Sequence, residues 1–381
     1  MEYTKLYTQY LQKLQEKKIY RTIPESGIRT PTLDFSHNDY LGLSKNKHCL
    51  DEGYRIAQEY GIGSTGSRLL SGSFPLMTHF ENQIALDKHT EKALLFSTGY
   101  QANSTVLAQL LNTKVVPKKT IVFFDKANHA SLYHALFISD VSYKRFAHND
   151  INALCELIEQ YSDEYDARFL VVESIYGMDG DKAPLEAYIS LCKEHNIFLY
   201  IDEAHATGLF GERGYGLSTN HDLSGIEYCI MGTFSKALGG MGAYIASNTH
   251  VIDYLISTCG GFIYSTSLSP FLIGAMFSAW QLIPQFEQER IRILRNAQIL
   301  RQGIIQYGYD TTHDSTHIVP LISHSIEHIQ SLYSLLQNHG IHVSCIRPPT
   351  VPPNAPRLRF ATNIFHTQED IEYVLHILQK A

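Results

Sequence analysis

The sequence predicts an α/β protein built on a mainly parallel sheet, and three observations carry the prediction. Short apolar runs without alternation recur at Lys92–Ser97, Thr120–Asp125, Ala167–Ser174, Ile197–Asp202 and Glu227–Thr233. Runs of that kind suit strands buried on both faces. Stretches with apolar residues at helical spacing separate them, clearest at Ile151–Tyr161 and Glu186–Asn196, as right-handed crossovers require. After about Pro270 the order changes to a long helix (FEQERIRILRNAQILRQGIIQYG), short strands (HIVPLI, HVSCI, RLRFAT) and a terminal helix, which predicts a smaller α+β C-terminal domain.

Taken in order, residues 1–45 read as an N-terminal helix and arm, 46–268 as the large domain and 269–381 as the small one. The opening MEYTKLYTQYLQKLQEKKIYR is polar and amphipathic without the apolar centre of a signal peptide, so a cytoplasmic protein is expected. The uncharged segment Leu255–Phe286 has the length of a membrane span. It is broken by Gly260, Gly261, a run of hydroxyls and Pro270, and reads instead as a polar loop feeding a buried helix, with Ser269 as N-cap and Pro270 in the first turn. No membrane association is expected.

With 381 residues, 44% hydrophobic residues, 18 Phe and 24 Tyr, the chain is long enough for more than one core. A net charge of −7 with no basic tract argues against nucleic acid as partner. The cysteines, Cys49, Cys155, Cys192, Cys229, Cys259 and Cys345, are scattered without metal-ligand spacing and read as reduced thiols.

Three motifs invite readings that their context rejects. GIGSTG, with Gly61, Gly63 and Gly66, satisfies G-x-G-x-x-G, but DEGYRIAQEY before it reads as helix where the dinucleotide fingerprint needs a strand. DEAH at Asp202–His205 resembles a helicase box, yet no Gly-Lys-Ser or Gly-Lys-Thr occurs anywhere. The 19 histidines include no H-E-x-x-H, and His129 and His134 lie five apart rather than four, so no metal is expected.

A different constellation survives. In GTFSKALGGMGAYIAS, Lys236 stands alone among small hydroxyls and glycines, either a phosphate-binding lysine or a nucleophile in a cofactor pocket. Asp202 ends one apolar strand, His205 follows in the next loop, and Thr233 and Ser235 flank the lysine after another strand. Upstream, STGYQAN takes a strand into a helix through small residues, a cradle for a phosphate at a helix N-terminus. A lysine for a Schiff base, a carboxylate to hold a pyridinium proton and a phosphate cradle together point to pyridoxal 5′-phosphate. His205 suits the ring hydroxyl. His129, in KANHAS, suits the ring face or, alternatively, a cap on the following helix.

The blocks FSHNDYLGLS, GSTGSRLLSG, SIYGMDGDKAPL, IDEAHATGLFGERGYG, GTFSKALGG and RPPTVP occur in order. Together they resemble the α-oxoamine synthases, of fold type I among pyridoxal-phosphate enzymes, over residues from about 20 to the C-terminus. That family condenses an amino acid with an acyl thioester and releases carbon dioxide. The resemblance implies Lys236 as the Schiff-base lysine, Asp202 as the pyridinium partner, His205 at the ring hydroxyl and His129 stacked on the ring. It places Gly99 and Tyr100 at the cofactor and Thr233 and Ser235 at its phosphate, and has Thr266 reach the phosphate of a second subunit, hence a homodimer. Asn38 and Arg359 would hold the amino-acid carboxylate, with Arg21 and Thr350 also at the substrate; read alone, Arg359 also fits a surface position on a C-terminal strand.

Within the family, GSTGSRLLSG and the compact length point to the branch that joins L-alanine to a pimeloyl thioester, carried by CoA or acyl carrier protein, to make 8-amino-7-oxononanoate for biotin synthesis. Glycine with acetyl-CoA, the 2-amino-3-ketobutyrate CoA ligase reaction, is the nearest enzymatic alternative. A partner subunit without catalysis is the alternative of another class. Two departures stand out: Gly177 replaces the serine that many relatives have before MDGD, and Phe365 takes the place of a small residue.

Overall fold

The computed structural model of the chain describes residues 3–17, 19–21, 23, 33–161 and 164–380, which divide into two compact units. The larger comprises 38–177 and 181–292, the smaller 1–37, 178–180 and 293–381.

The larger unit is built on a seven-stranded sheet. Its strands are β1 (Lys92–Phe96), β2 (Thr120–Asp125), β3 (Ser142–Phe146), β4 (Ala167–Glu173), β5 (Phe198–Asp202), β6 (Tyr228–Thr233) and β7 (Ala243–Ser247). They lie in the order β1-β7-β6-β5-β4-β2-β3, all neighbours parallel except β7, which runs antiparallel to both β1 and β6. Helices Ala130–Ser139, Ile151–Tyr161 and Leu185–His195 make the crossovers.

The unbroken apolar runs are explained by two cores, one on each face. Along β2, Val122 and Phe124 enter one cluster with Val106, Leu132 and Met231, while Ile121 and Phe123 enter the other with Leu154, Tyr188 and Leu199. Alternate side chains of a strand point to opposite faces, so a strand covered twice needs apolar residues at every position. The five strands read from the sequence are present. β3 and β7 are the ones it did not mark: β3 is an edge strand whose SYKRF is mostly exposed, and β7 lies inside the glycine-rich run after Lys236.

The expected division at residue 268 differs from the one observed, because helix Pro270–Leu282 packs on helix Lys47–Tyr60 within the larger unit. Two glycines permit the approach: a Cβ on Gly274 would stand 2.8 Å from the carbonyl oxygen of Glu52, and one on Gly53 would stand 2.8 Å from that of Phe271. Ser269 does sit at the helix N-cap, yet its hydroxyl donates to the Ile62 carbonyl (2.6 Å) instead of capping. Helix Lys47–Tyr60 ends at Gly61, so GIGSTG follows a helix and the dinucleotide fingerprint lacks its strand.

In the smaller unit β8 (Ile318–Ile322), β9 (Ser344–Ile346) and β10 (Arg357–Ala361) form an antiparallel sheet in the order β9-β10-β8. Helices Ile326–Asn338 and Gln368–Leu378 bury Ile329, Leu332, Val374 and Ile377 in the same core as Leu358 and Phe360. A Thr367–Asp370 capping box starts the last helix. The tripeptide Met178–Gly180 belongs to this unit: Asp179 pairs with Arg357, and Thr316 donates its backbone N–H to the Gly180 carbonyl (2.8 Å).

Among the described residues no helix is long and apolar enough to cross a membrane, and no cluster of His, Cys, Asp and Glu suits a metal ion. All six cysteines are free thiols.

Candidate active site

Parallel strands bring their C-terminal ends to one edge of the larger sheet, and the chemistry-bearing residues lie there. Asp125 ends β2, Glu173 ends β4, Asp202 ends β5 and Thr233 ends β6, with Glu173 and Asp202 in register on neighbouring strands. This is where an open α/β sheet places its ligands.

Asp202 is the centre of a buried network. Only 3% exposed, it accepts from Asn103 Nδ2 through Oδ2 (2.7 Å) and from the backbone N–H of Ala204 through Oδ1 (2.8 Å). Asn103 also donates to Ser131 Oγ (3.0 Å) and accepts from the hydroxyl of Tyr200 (2.9 Å). Ser131 Oγ lies 2.8 Å from Nδ1 of His129, and the Ser131 N–H donates to the same nitrogen (3.3 Å). Nδ1 of His129 is therefore an acceptor and its proton sits on Nε2. Burial lowers its pKa further, with Lys236 adding to the effect and Asp202 opposing it, so His129 is held neutral. His129 thus caps helix Ala130–Ser139 and also faces the site, its ring edge-on to Tyr100 at 6.4 Å.

Glu173 accepts the N–H of His129 (2.6 Å) and is 5% exposed. Burial raises its pKa well above the usual carboxyl range and the charge of Asp202 raises it again, while Lys236 and the His129 N–H oppose the shift.

Lys236 lies in the loop joining β6 to β7, and its charge acts on both His129 and Glu173. Its glycines serve the fold of this loop. Gly239 has a φ of 68° and a Cβ there would strike the backbone of Ser44; Gly242 has a φ of 120° and gives its carbonyl to Thr233 Oγ1 (2.9 Å). Thr233 Oγ1 also receives the N–H of Ser235 (3.2 Å) and lies 2.9 Å from Ser235 Oγ. Gly99 opens helix Gly99–Leu110, capped by Thr98, and a Cβ there would lie 3.6 Å from Thr233 Oγ1. That helix N-terminus, without a side chain at Gly99 and beside two hydroxyls, fits a phosphate, and the buried carboxylate of Asp202 fits a protonated ring nitrogen. The residues present thus suit pyridoxal phosphate.

Tyr100 is 45% exposed and bonds to His134 Nδ1 (2.5 Å). Thr266 is exposed, and its carbonyl accepts from Ser97 Oγ (3.2 Å). His205 is buried, its Nδ1 2.8 Å from the hydroxyl of Tyr40, which donates to Asn38 Oδ1 (3.1 Å). Arg21, Thr350 and Arg359 belong to the smaller unit. Arg21 is exposed and donates to Thr350 Oγ1 (2.9 Å); Arg359, on β10, is only 4% exposed, which excludes the surface reading of that residue. Phe365 is exposed in the loop before the last helix.

Sequence reading missed Tyr40, Asn103, Ser131 and Glu173. Asn103 closes the quoted STGYQAN, and a large polar residue among helix positions that mostly bury apolar side chains is the signal that was available. Glu173 ends an apolar strand as Asp202 does.

The family described as aminotransferase class I and II matches residues 30–378. An 8-amino-7-oxononanoate synthase of Gluconacetobacter diazotrophicus is 40% identical over 351 residues, 92% of this chain and 87% of that protein. A protein of Bordetella parapertussis assigned the same activity is 37% identical over 382 residues, 98% of this chain and 96% of its own. Among solved structures, a lysine-to-alanine variant of serine palmitoyltransferase from S. paucimobilis with a bound PLP–myriocin aldimine superposes with a TM-score of 0.88 at 26% identity, over 98% of this chain and 96% of that one.

Proposed function

Because the chain belongs to the aminotransferase class I and II family and, within it, to the α-oxoamine synthases, which are pyridoxal-phosphate-dependent acyltransferases, we propose that it condenses L-alanine with a pimeloyl thioester to give 8-amino-7-oxononanoate. The observation that carries the choice of substrates is identity of 40% across most of the chain to a relative with that activity.

Bound pyridoxal phosphate supplies an electron sink that lets a bond at the amino-acid α-carbon break. The protein's own residues prepare that chemistry. Lys236 would hold the cofactor through its side-chain amine and would be the base that takes up the α-proton. Asp202, fixed by Asn103 and the Ala204 N–H, keeps a proton on the ring nitrogen. His129, neutral and held by Ser131, would lie against the ring, while Thr233, Ser235 and the helix N-terminus at Gly99 would hold the phosphate. Arg359 and Asn38 would take the substrate carboxylate, with Arg21 and Thr350 also assigned to the substrate by the resemblance.

A cytoplasmic homodimer completes the reading. Ile62, Leu70 and Tyr264 are each at least 85% exposed, an apolar set suited to a second subunit. The segments that carry them are tied together by Ser64 Oγ to the Ser267 carbonyl (2.6 Å) and the Ser267 N–H to the Gly66 carbonyl (3.0 Å), and Thr266 lies beside them.

The test is an assay of L-alanine, glycine and L-serine against pimeloyl, acetyl and palmitoyl thioesters on CoA and on acyl carrier protein. L-alanine with a pimeloyl thioester is expected to give the highest kcat/KM. Glycine with acetyl-CoA as the best pair would replace this reading with the aminoketobutyrate reaction.

A further inference from the structure

Residues i and i+2 of a strand share a face, so Tyr200 and Asp202 of β5 project together, both toward helix Gly99–Leu110. Asp202 ends the strand at the site. Tyr200 lies two residues back, completely buried in the cluster that holds Val106, Leu107 and Met231. A phenol in such surroundings must find a partner for its hydroxyl. It finds Asn103, whose side chain spans the pair: Oδ1 lies 2.9 Å from the Tyr200 hydroxyl and Nδ2 lies 2.7 Å from Asp202 Oδ2.

The sense of each bond follows from the groups at the two ends. Turned the other way, the amide would set its oxygen against the carboxylate, acceptor against acceptor. Asn103 therefore gives its two hydrogens to Asp202 Oδ2 and to Ser131 Oγ, 3.0 Å away, and its oxygen takes the phenol hydrogen. Ser131 Oγ, already receiving one hydrogen, has its own to give to Nδ1 of His129 (2.8 Å). Burial, reinforced by Cys229 and Asp202, raises the Tyr200 pKa well above its usual value, so the phenol keeps its hydrogen and remains a donor. Phenylalanine would fill the same apolar space with no hydroxyl to satisfy, so what the tyrosine adds is the bond to Asn103.

We propose that Tyr200 is a positioning residue: by donating to Asn103 Oδ1 it holds the amide so that one side chain aligns Asp202 and, through Ser131, His129. A donor at Oδ1 also polarises the amide and strengthens its N–H groups toward the other two partners. Tyr200 acts from behind the site, through Asn103. That the two aligned groups serve a cofactor ring rests on the roles proposed for Asp202 and His129.

The bond is read by NMR on the cofactor-free full chain labelled with ¹⁵N-asparagine, the Nδ2 protons of Asn103 being assigned by their through-space contacts with the Ser131 and Tyr200 side chains. In the wild type these two protons are expected to be well separated in shift and slow to exchange with solvent. Tyr200→Phe, which keeps the ring, is expected to bring them together in shift and to speed their exchange roughly tenfold. In the holoenzyme, with the amino acid and thioester pair of highest kcat/KM, the same change is expected to lower kcat roughly three- to tenfold and leave KM for the amino acid nearly unchanged. In an Asn103→Ala background it is expected to cost nothing further, because a residue that acts through another has no separate effect once that other is gone. Wild-type Nδ2 protons that coincide in shift, or that exchange as freely as an exposed amide, overturn the proposal even if no variant folds. Unchanged amide signals or an unchanged kcat in Tyr200→Phe, or a loss that adds to that of Asn103→Ala, removes Tyr200 from the role. The amide measurement needs neither cofactor nor substrate, so the proposal and the choice of substrates can fail separately.

Discussion

Asn103 donates one amide nitrogen to both Asp202 Oδ2, at 2.7 Å, and Ser131 Oγ, at 3.0 Å, so a single side chain from the helix after β1 orients the carboxylate at the end of β5 and the serine that holds His129. Replacing it with alanine leaves three buried polar groups, on Asp202, Ser131 and Tyr200, short of a partner, a loss of about 1–3 kcal/mol each where no water enters. Asn103→Ala is expected to weaken cofactor binding and lower kcat by roughly tenfold to a hundredfold. Titration with pyridoxal phosphate followed by steady-state kinetics checks both.

Glu173 and Asp202 are neighbouring carboxyls with different duties. Burial keeps Glu173 protonated well above the usual carboxyl range, so Glu173→Gln preserves both shape and charge and is expected to change turnover by less than about fivefold. Asp202→Asn removes the charge that keeps a proton on the ring nitrogen and is expected to cost about a hundredfold or more in kcat. Parallel kinetics of the two variants separate the roles; equal losses would refute the division.

Lys236→Ala is expected to abolish turnover and covalent attachment while the fold survives, since the lysine is only half-buried in its loop. Borohydride reduction followed by peptide mass spectrometry should find the cofactor on Lys236 in the wild type and on no lysine in the variant. A reduced adduct on another lysine would refute the assignment.

Lys88 is buried against Glu203, the residue after Asp202, and also donates to the Tyr215 carbonyl (2.7 Å) and Ser218 Oγ (2.8 Å). Burial pulls its pKa down and Glu203 pulls it back. Lys88→Met strands the Glu203 carboxylate in the interior and is expected to destabilise the larger unit by about 3–5 kcal/mol. Denaturant unfolding measures it, and a second change of Glu203 to Gln should restore part of the loss.

His148 bridges Asp125 Oδ1 (3.0 Å) and Asp181 Oδ2 (2.7 Å). Burial opposes its charge, but the two carboxylates prevail and raise its pKa from 6.5 to about 10. A raised folded-state value stabilises fully below the unfolded value, so this contribution is complete below pH 6.5 and disappears as pH rises toward 10. Unfolding midpoints between pH 6 and pH 10 should fall for the wild type and show a smaller decline for His148→Gln.

Much of this protein was legible in one dimension because the information was local. An unbroken apolar run such as TIVFFD reports a strand covered on both faces, and Asp202 and Lys236 announce themselves by standing at the ends of such runs. The polar edge strand β3 carried no such mark, because an edge exposed to water has no apolar requirement. Only the tertiary structure decided which polar residues share a site. Asn103 reaches Asp202 and Tyr40 reaches His205 across 99 and 165 residues of chain, and Gly177 matters for the space that it leaves to the His205 ring. Contacts of that kind arise when β1 to β7 assemble and bring their loops to one edge, and no spacing along the chain encodes them.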